Sequence, residues 1–118
     1  MAVDVLFAGI PVADFAAAVT WSGRLWGRPP DVLVHDTEVM WSLADAAWIS
    51  LFEDAPRAGH TLVTVAVPDL ERTLARIGDR GITGPPIEAV GDAGRKASIA
   101  DPEGNVVAFI EVTQPSPR

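Results

Sequence analysis

Val67-Pro68-Asp69-Leu70, followed by a helical run, repeats an earlier stretch, Val12-Ala13-Asp14-Phe15, also followed by a helical run. Working outward, Trp48-Ile49-Ser50-Leu51-Phe52-Glu53 recurs as Val106-Val107-Ala108-Phe109-Ile110-Glu111. Both halves therefore carry the same order of local signals: a strand, an Asp-capped helix, a Gly/Pro turn, and hairpin strands ending in Glu. A period near half of a 118-residue chain means two copies of one small module, not a solenoid.

In the first half, Val3 to Val12 forms a strand and Asp14 is a good N-cap, since its carboxylate can accept from free amides of the first helical turn. Phe15, Ala18, Val19, Ser22, Leu25 and Trp26 share a helical face, which Gly27 and Pro29-Pro30 end. Val32 to His35 is a short strand; Glu38 to Leu43 and Ala47 to Glu53 make a hairpin around Ala44-Asp45-Ala46. In the second half, Thr61 to Val67 is a strand, and Asp69 caps a helix that turns Leu70, Thr73, Leu74 and Ile77 inward and stops at Gly81. After Pro85-Pro86, Ile87 to Val90 is a strand, and Arg95 to Ala100 pairs with Asn105 to Val112 across Asp101-Pro102-Glu103-Gly104, a strong turn signature. Each half is βαβββ, which predicts an α+β fold with helices on one face of the sheets. The expected organisation is one domain: module 1 over 1–57, module 2 over 58–112, and a short flexible tail over 113–118.

Composition narrows the function. A net charge of −7 argues against nucleic-acid binding, which rests on Lys and Arg at phosphates. An acidic field favours a cationic small ligand, although it also serves plain solubility. With no cysteine, disulfides and thiolate metal sites are excluded. No apolar run reaches membrane-spanning length and no charged-then-apolar leader precedes the first strand, so cytoplasmic residence is the expectation. No serine sits in a Gly-x-Ser-x-Gly elbow, and Lys96, the one lysine, sits in an ordinary strand.

Val12-Ala13-Asp14-Phe15, Leu25-Trp26-Gly27, Val67-Pro68-Asp69-Leu70, Arg80-Gly81-Ile82 and Asp101-Pro102-Glu103-Gly104-Asn105 together resemble the vicinal oxygen chelate superfamily. That superfamily includes glyoxalase I, bleomycin-resistance proteins and extradiol dioxygenases. The resemblance implies paired βαβββ modules whose antiparallel sheets curve into a cup, helices on the outer face, usually in a homodimer. It also implies that metal-using members draw four ligands from the first and last strands of each module. Those positions fall on Phe7, Leu62, Ser50 and Ala108. One hydroxyl among four cannot hold a divalent cation, so no metal, no cofactor and no catalytic residue is expected. His35, His60, Glu53 and Glu111 are the remaining candidates for a metal site, and no His-x-His or His-x₃-His spacing links the two histidines.

Strand alternation adds a positive signal. If Leu43 pairs with Trp48, then Trp41 faces Ser50 and Val39 faces Phe52, and Trp41, Leu43, Trp48, Ser50 and Phe52 share the cup face. Met40, Ser42, Ile49 and Leu51 then point to the helices. The same logic pairs Ala97 with Ala108 and Ile99 with Val106 and puts Arg95 at the cup mouth. A ligand-binding set of Phe7, Trp41, Trp48, Ser50, Phe52, Leu62, Arg95 and Ala108 suits a flat, aromatic or cationic guest held by stacking. Tryptophan in a small domain also serves as core, and Arg95 can equally pair with a surface carboxylate. The function expected is metal-free sequestration of a drug or metabolite by a homodimer. The alternatives are a glyoxalase-type lyase, isomerase or dioxygenase with unusual ligands, and a scaffold or regulatory module with no guest.

Overall fold

A computed structural model describes residues 1–84 and 86–112; Pro85 and the expected tail at 113–118 lie outside the described residues. The first module runs β1 (Leu6–Val12), α1 (Phe15–Trp26), β2 (Val32–His35), β3 (Glu38–Ala44) and β4 (Ala47–Glu53). The second runs β5 (Leu62–Ala66), α2 (Leu70–Asp79), β6 (Glu88–Val90), β7 (Gly94–Ala100) and β8 (Val106–Val112). Each helix starts where a carboxylate meets a free amide: Asp14 accepts from the Ala17 N–H and Asp69 from the Arg72 N–H. Helix α1 ends at Gly27, whose φ of 80° is the left-handed conformation that glycine adopts without a Cβ clash.

The four-stranded sheets are ordered β1-β4-β3-β2 and β5-β8-β7-β6. They are mixed, not antiparallel throughout: β1 runs parallel to β4, and β5 to β8. The helix after each first strand carries the chain back across the sheet, and the two following hairpins bring the last strand in alongside the first, running the same way.

Both hairpin registers differ by one residue from the sequence expectation. In the first, Ala44 does pair with Ala47 across a two-residue turn, but a bulge at Leu43 shifts everything beyond it. Trp41 pairs with Ile49, Ser42 with Trp48 and Met40 with Ser50. A one-residue slip exchanges the faces. Trp41 therefore points to the helices, fully buried with Val39, Ile49, Leu51, Ile10 and Val12, while its indole N–H donates to the Arg28 carbonyl at 3.0 Å. Met40 moves to the open face. In the second hairpin Asn105 belongs to the turn, not the strand, so Ala97 pairs with Phe109, Ile99 with Val107 and Arg95 with Glu111.

Asn105 leaves the strand because it joins the modules. It is 1% exposed. Its amide nitrogen donates to the Pro11 carbonyl in β1 and to Asp101, and its oxygen accepts from the N–H groups of Gly59 and Thr61. Glu103 in the same turn accepts from the Ala13 and Asp14 N–H groups at the start of α1. At the other end of α1, Arg80 donates to the carbonyls of Arg24 and Leu25. Two apolar clusters lie between helices and sheets: one joins Trp41 to β1 and β4, and the other joins Leu25 of α1 to Leu70, Ile77, Val107 and Phe109.

Asn105→Ala leaves Gly59, Thr61 and Pro11 without their buried partner. It should lower unfolding free energy by at least about 2 kcal/mol. Trp41→Ala should cost about 3–5 kcal/mol, as for other buried aromatics cut back to Ala. Urea unfolding of the two variants against the parent measures both.

Candidate ligand-binding face

Side chains of paired residues share a sheet face, so the pairing assigns every position. Buried Val39, Trp41, Ile49 and Leu51 mark the helix side of the first sheet, and Ala97, Ile99, Val107 and Phe109 that of the second. The opposite, open face of module 1 carries Phe7, Gly9 and Pro11 of β1 and Trp48, Ser50 and Phe52 of β4. Phe7 and Trp48 are paired, with ring centroids 6.3 Å apart and planes inclined at 34°. The Phe52 ring fills the space in front of Gly9, where a Cβ would come within 3.0 Å of its Cε1. The glycine lets that ring lie across β1.

The polar end of this face is built from β3. Ser50 Oγ donates to Glu38 Oε2 at 2.7 Å, and His35 Nε2 lies 3.4 Å from Glu38 Oε1. His35 Nδ1 accepts from the Thr37 N–H, which leaves the proton of the neutral ring on Nε2, towards the carboxylate. Glu38 had no place in the sequence expectation. The displaced register hid it, since Glu38 pairs with Phe52 and so shares the face of Ser50.

On module 2 the open face carries Leu62 and Thr64 of β5, Ala108 and Ile110 of β8, and Lys96 and Ser98 of β7. Arg95 is not among them. It points to α2, where it pairs with Glu71 at 2.8 Å and with Glu111 at 3.0 Å. The cation of the open face is Lys96. The repeat could have revealed this, because Lys96 precedes Glu111 by the same interval as Glu38 precedes Glu53. Equivalent positions in the two modules thus bear opposite charges.

Phe7, Ser50, Leu62 and Ala108 all stand on the open faces, but they divide between the modules, Phe7 and Ser50 on one and Leu62 and Ala108 on the other. Phe7 is 54% exposed and Leu62 68%. A cavity of about 280 Å³ at the junction brings Trp48 of one module together with Thr64 and Ala66 of the other. The four positions offer one hydroxyl, which donates to Glu38, and a single such oxygen does not fit a divalent cation. Among the described residues no group of three or more His, Asp or Glu is placed to hold a metal ion. His60, Glu53 and Glu111 do not converge with His35; Glu111 instead accepts from the Leu70 N–H at the start of α2.

This architecture is shared with solved structures. A glyoxalase/bleomycin resistance protein from Catenulispora acidiphila is 36% identical, with a TM-score of 0.86, over 92% of this chain and 97% of its own. The chain belongs to the glyoxalase/bleomycin resistance family, within the vicinal oxygen chelate superfamily. The fold is also that of TnmS3, an antibiotic binding protein from Streptomyces sp. CB03234, at 23% identity and TM-score 0.75 over 96% of this chain and 99% of that one. It is shared as well by a lactoylglutathione lyase from Agrobacterium tumefaciens, at 16% identity and TM-score 0.73 over 91% and 92%. No family model and no curated protein matches the sequence. Among the described residues no helix is long and apolar enough to cross a membrane.

The arrangement around Arg95 has a consequence for pH. The Leu70 N–H, and after it Arg95, hold the Glu111 carboxyl below its ordinary value of 4.5. The Ser42 N–H, followed by Arg28, does the same for Asp31. A carboxyl depressed in the folded state contributes stability above its unfolded value and loses it as pH falls through the folded value. Stability should therefore drop below about pH 4.5. In Glu111→Gln the drop should be smaller, as urea unfolding at neutral and acidic pH would show.

Proposed function

We propose that this family member is a metal-free binding protein that sequesters a flat aromatic or cationic small molecule on its open face. What supports this is Phe7, Ser50, Leu62 and Ala108 at the positions where the family resemblance sets metal ligands, next to the pairing of exposed Phe7 with half-buried Trp48. An aromatic guest stacks on Phe7, Trp48 and Phe52, while a cationic group on it meets Glu38, which Ser50 and His35 orient. Trp41 and Arg95 play no part in this face, since both point to the helices. The antibiotic-binding and bleomycin-resistance descriptions of structural relatives agree with such a guest.

The working unit is a homodimer. Phe7, Val32, Leu62 and Val112 are all exposed on the open faces, an apolar surface that a second copy would cover. Sedimentation at micromolar concentration should give a dimer; a monomer throughout would count against the assembly.

Fluorescence titration with a panel of aromatic cations tests the guest. Trp48→Ala should weaken binding by about 1–2 kcal/mol with the fold retained. Glu38→Gln should weaken a cationic guest and leave a neutral aromatic one unchanged. Elemental analysis after dialysis should find no stoichiometric metal; a retained metal lost on changing Ser50 would favour the enzyme reading instead.

A further inference from the structure

The helix side of the molecule holds a second cavity, of about 320 Å³, where the modules meet between α1 and α2. Its apolar lining comes from both modules and includes Leu25, Trp26, Val65, Val67, Ile77 and Phe109. Trp26 and Phe109 are in ring contact, with centroids 6.1 Å apart. Val65 and Phe109 are paired on the helix side of their sheet, so this cavity opens on that side; it borders the junction cavity at Leu43 and Val65 but does not reach Trp48.

The charge of this cavity opposes that of the whole protein. In a chain of net charge −7, three arginines line it (Arg28, Arg76 and Arg80), and no carboxylate does. Arg28 is paired with Asp31. The guanidinium of Arg80 is set against backbone carbonyls of α1 and keeps its remaining N–H donors. Arg76 has no hydrogen-bond or ion-pair partner among the described residues. It lies on α2 between Thr73 and Arg80, one helical turn from each, so all three sit along one side of the helix. A cavity of ligand size with apolar walls, an aromatic ring and two arginines in its lining is complementary to one chemical class.

We propose that this inter-helix cavity is a second binding site, for a small amphipathic anion. Its carboxylate meets Arg76 and Arg80, and its flat apolar body lies against the half-buried Trp26. The proposal goes beyond the open-face function and requires the opposite charge in its guest.

The test uses naphthoate and its neutral counterpart naphthylmethanol as probes, titrated into the isotope-labelled full chain and followed by NMR. Naphthoate should shift the Trp26 indole N–H and the Arg76 and Arg80 amides in a saturable way, and naphthylmethanol should bind at least tenfold more weakly. Arg76→Glu should weaken naphthoate at least tenfold, Arg76→Lys only a few-fold, and Trp48→Ala not at all. Arg76 is exposed, so thermal melts should show each variant folded. Equal binding of the neutral probe, an unchanged Arg76→Glu titration, loss of binding in Trp48→Ala, or no saturable shift would each overturn the proposal. Loss in Trp48→Ala would place the probe on the open face; the other outcomes leave the aromatic cations of that face untouched.

Discussion

The structure depends on one buried amide. Asn105 satisfies both its donors and its acceptor, and the groups it meets belong to different parts of the chain: β1, the segment before β5, and its own turn. A buried polar side chain is tolerated only when its hydrogen bonds are made, and here they can be made in one mutual placement of the modules. Two half-chains that could each form a sheet are thereby fixed as a pair.

The same turn governs α1. Glu103 of module 2 places a carboxylate on the free amides at the start of this module 1 helix, and Arg80 of module 2 places a guanidinium on its last carbonyls. Both charges oppose the helix dipole, and both satisfy groups that every helix end leaves open. Gly27 permits the second contact, since a Cβ there would come within 3.0 Å of the Arg80 guanidinium carbon. Helix α1 is thus held by the module to which it does not belong, and it packs its last turn into the core of that module.

Fixing the pair creates two surfaces of different character. Strand alternation separates a helix side, where Arg95, Glu71 and Glu111 are tied together, from an open side, where Glu38 and Lys96 occupy equivalent places with opposite charge. The repeat gives one geometry twice, and different residues at matched positions make the two halves chemically unlike.

Much of this was legible in the residues alone. The repeat, the two Asp caps, Gly27 and the Asp101 to Asn105 turn are local signals, because each states a conformational preference within a few residues, and they define two βαβββ modules. What only the tertiary structure decided was the face each strand residue takes. A bulge at Leu43 and the withdrawal of Asn105 into the junction each change the register by one residue, and neither has a local signature. Both arise because the core gains more by burying Trp41 and by satisfying Asn105 than a regular hairpin would. Trp41 and Arg95 accordingly belong to the interior and the helix contact, and Glu38 and Lys96 to the open face.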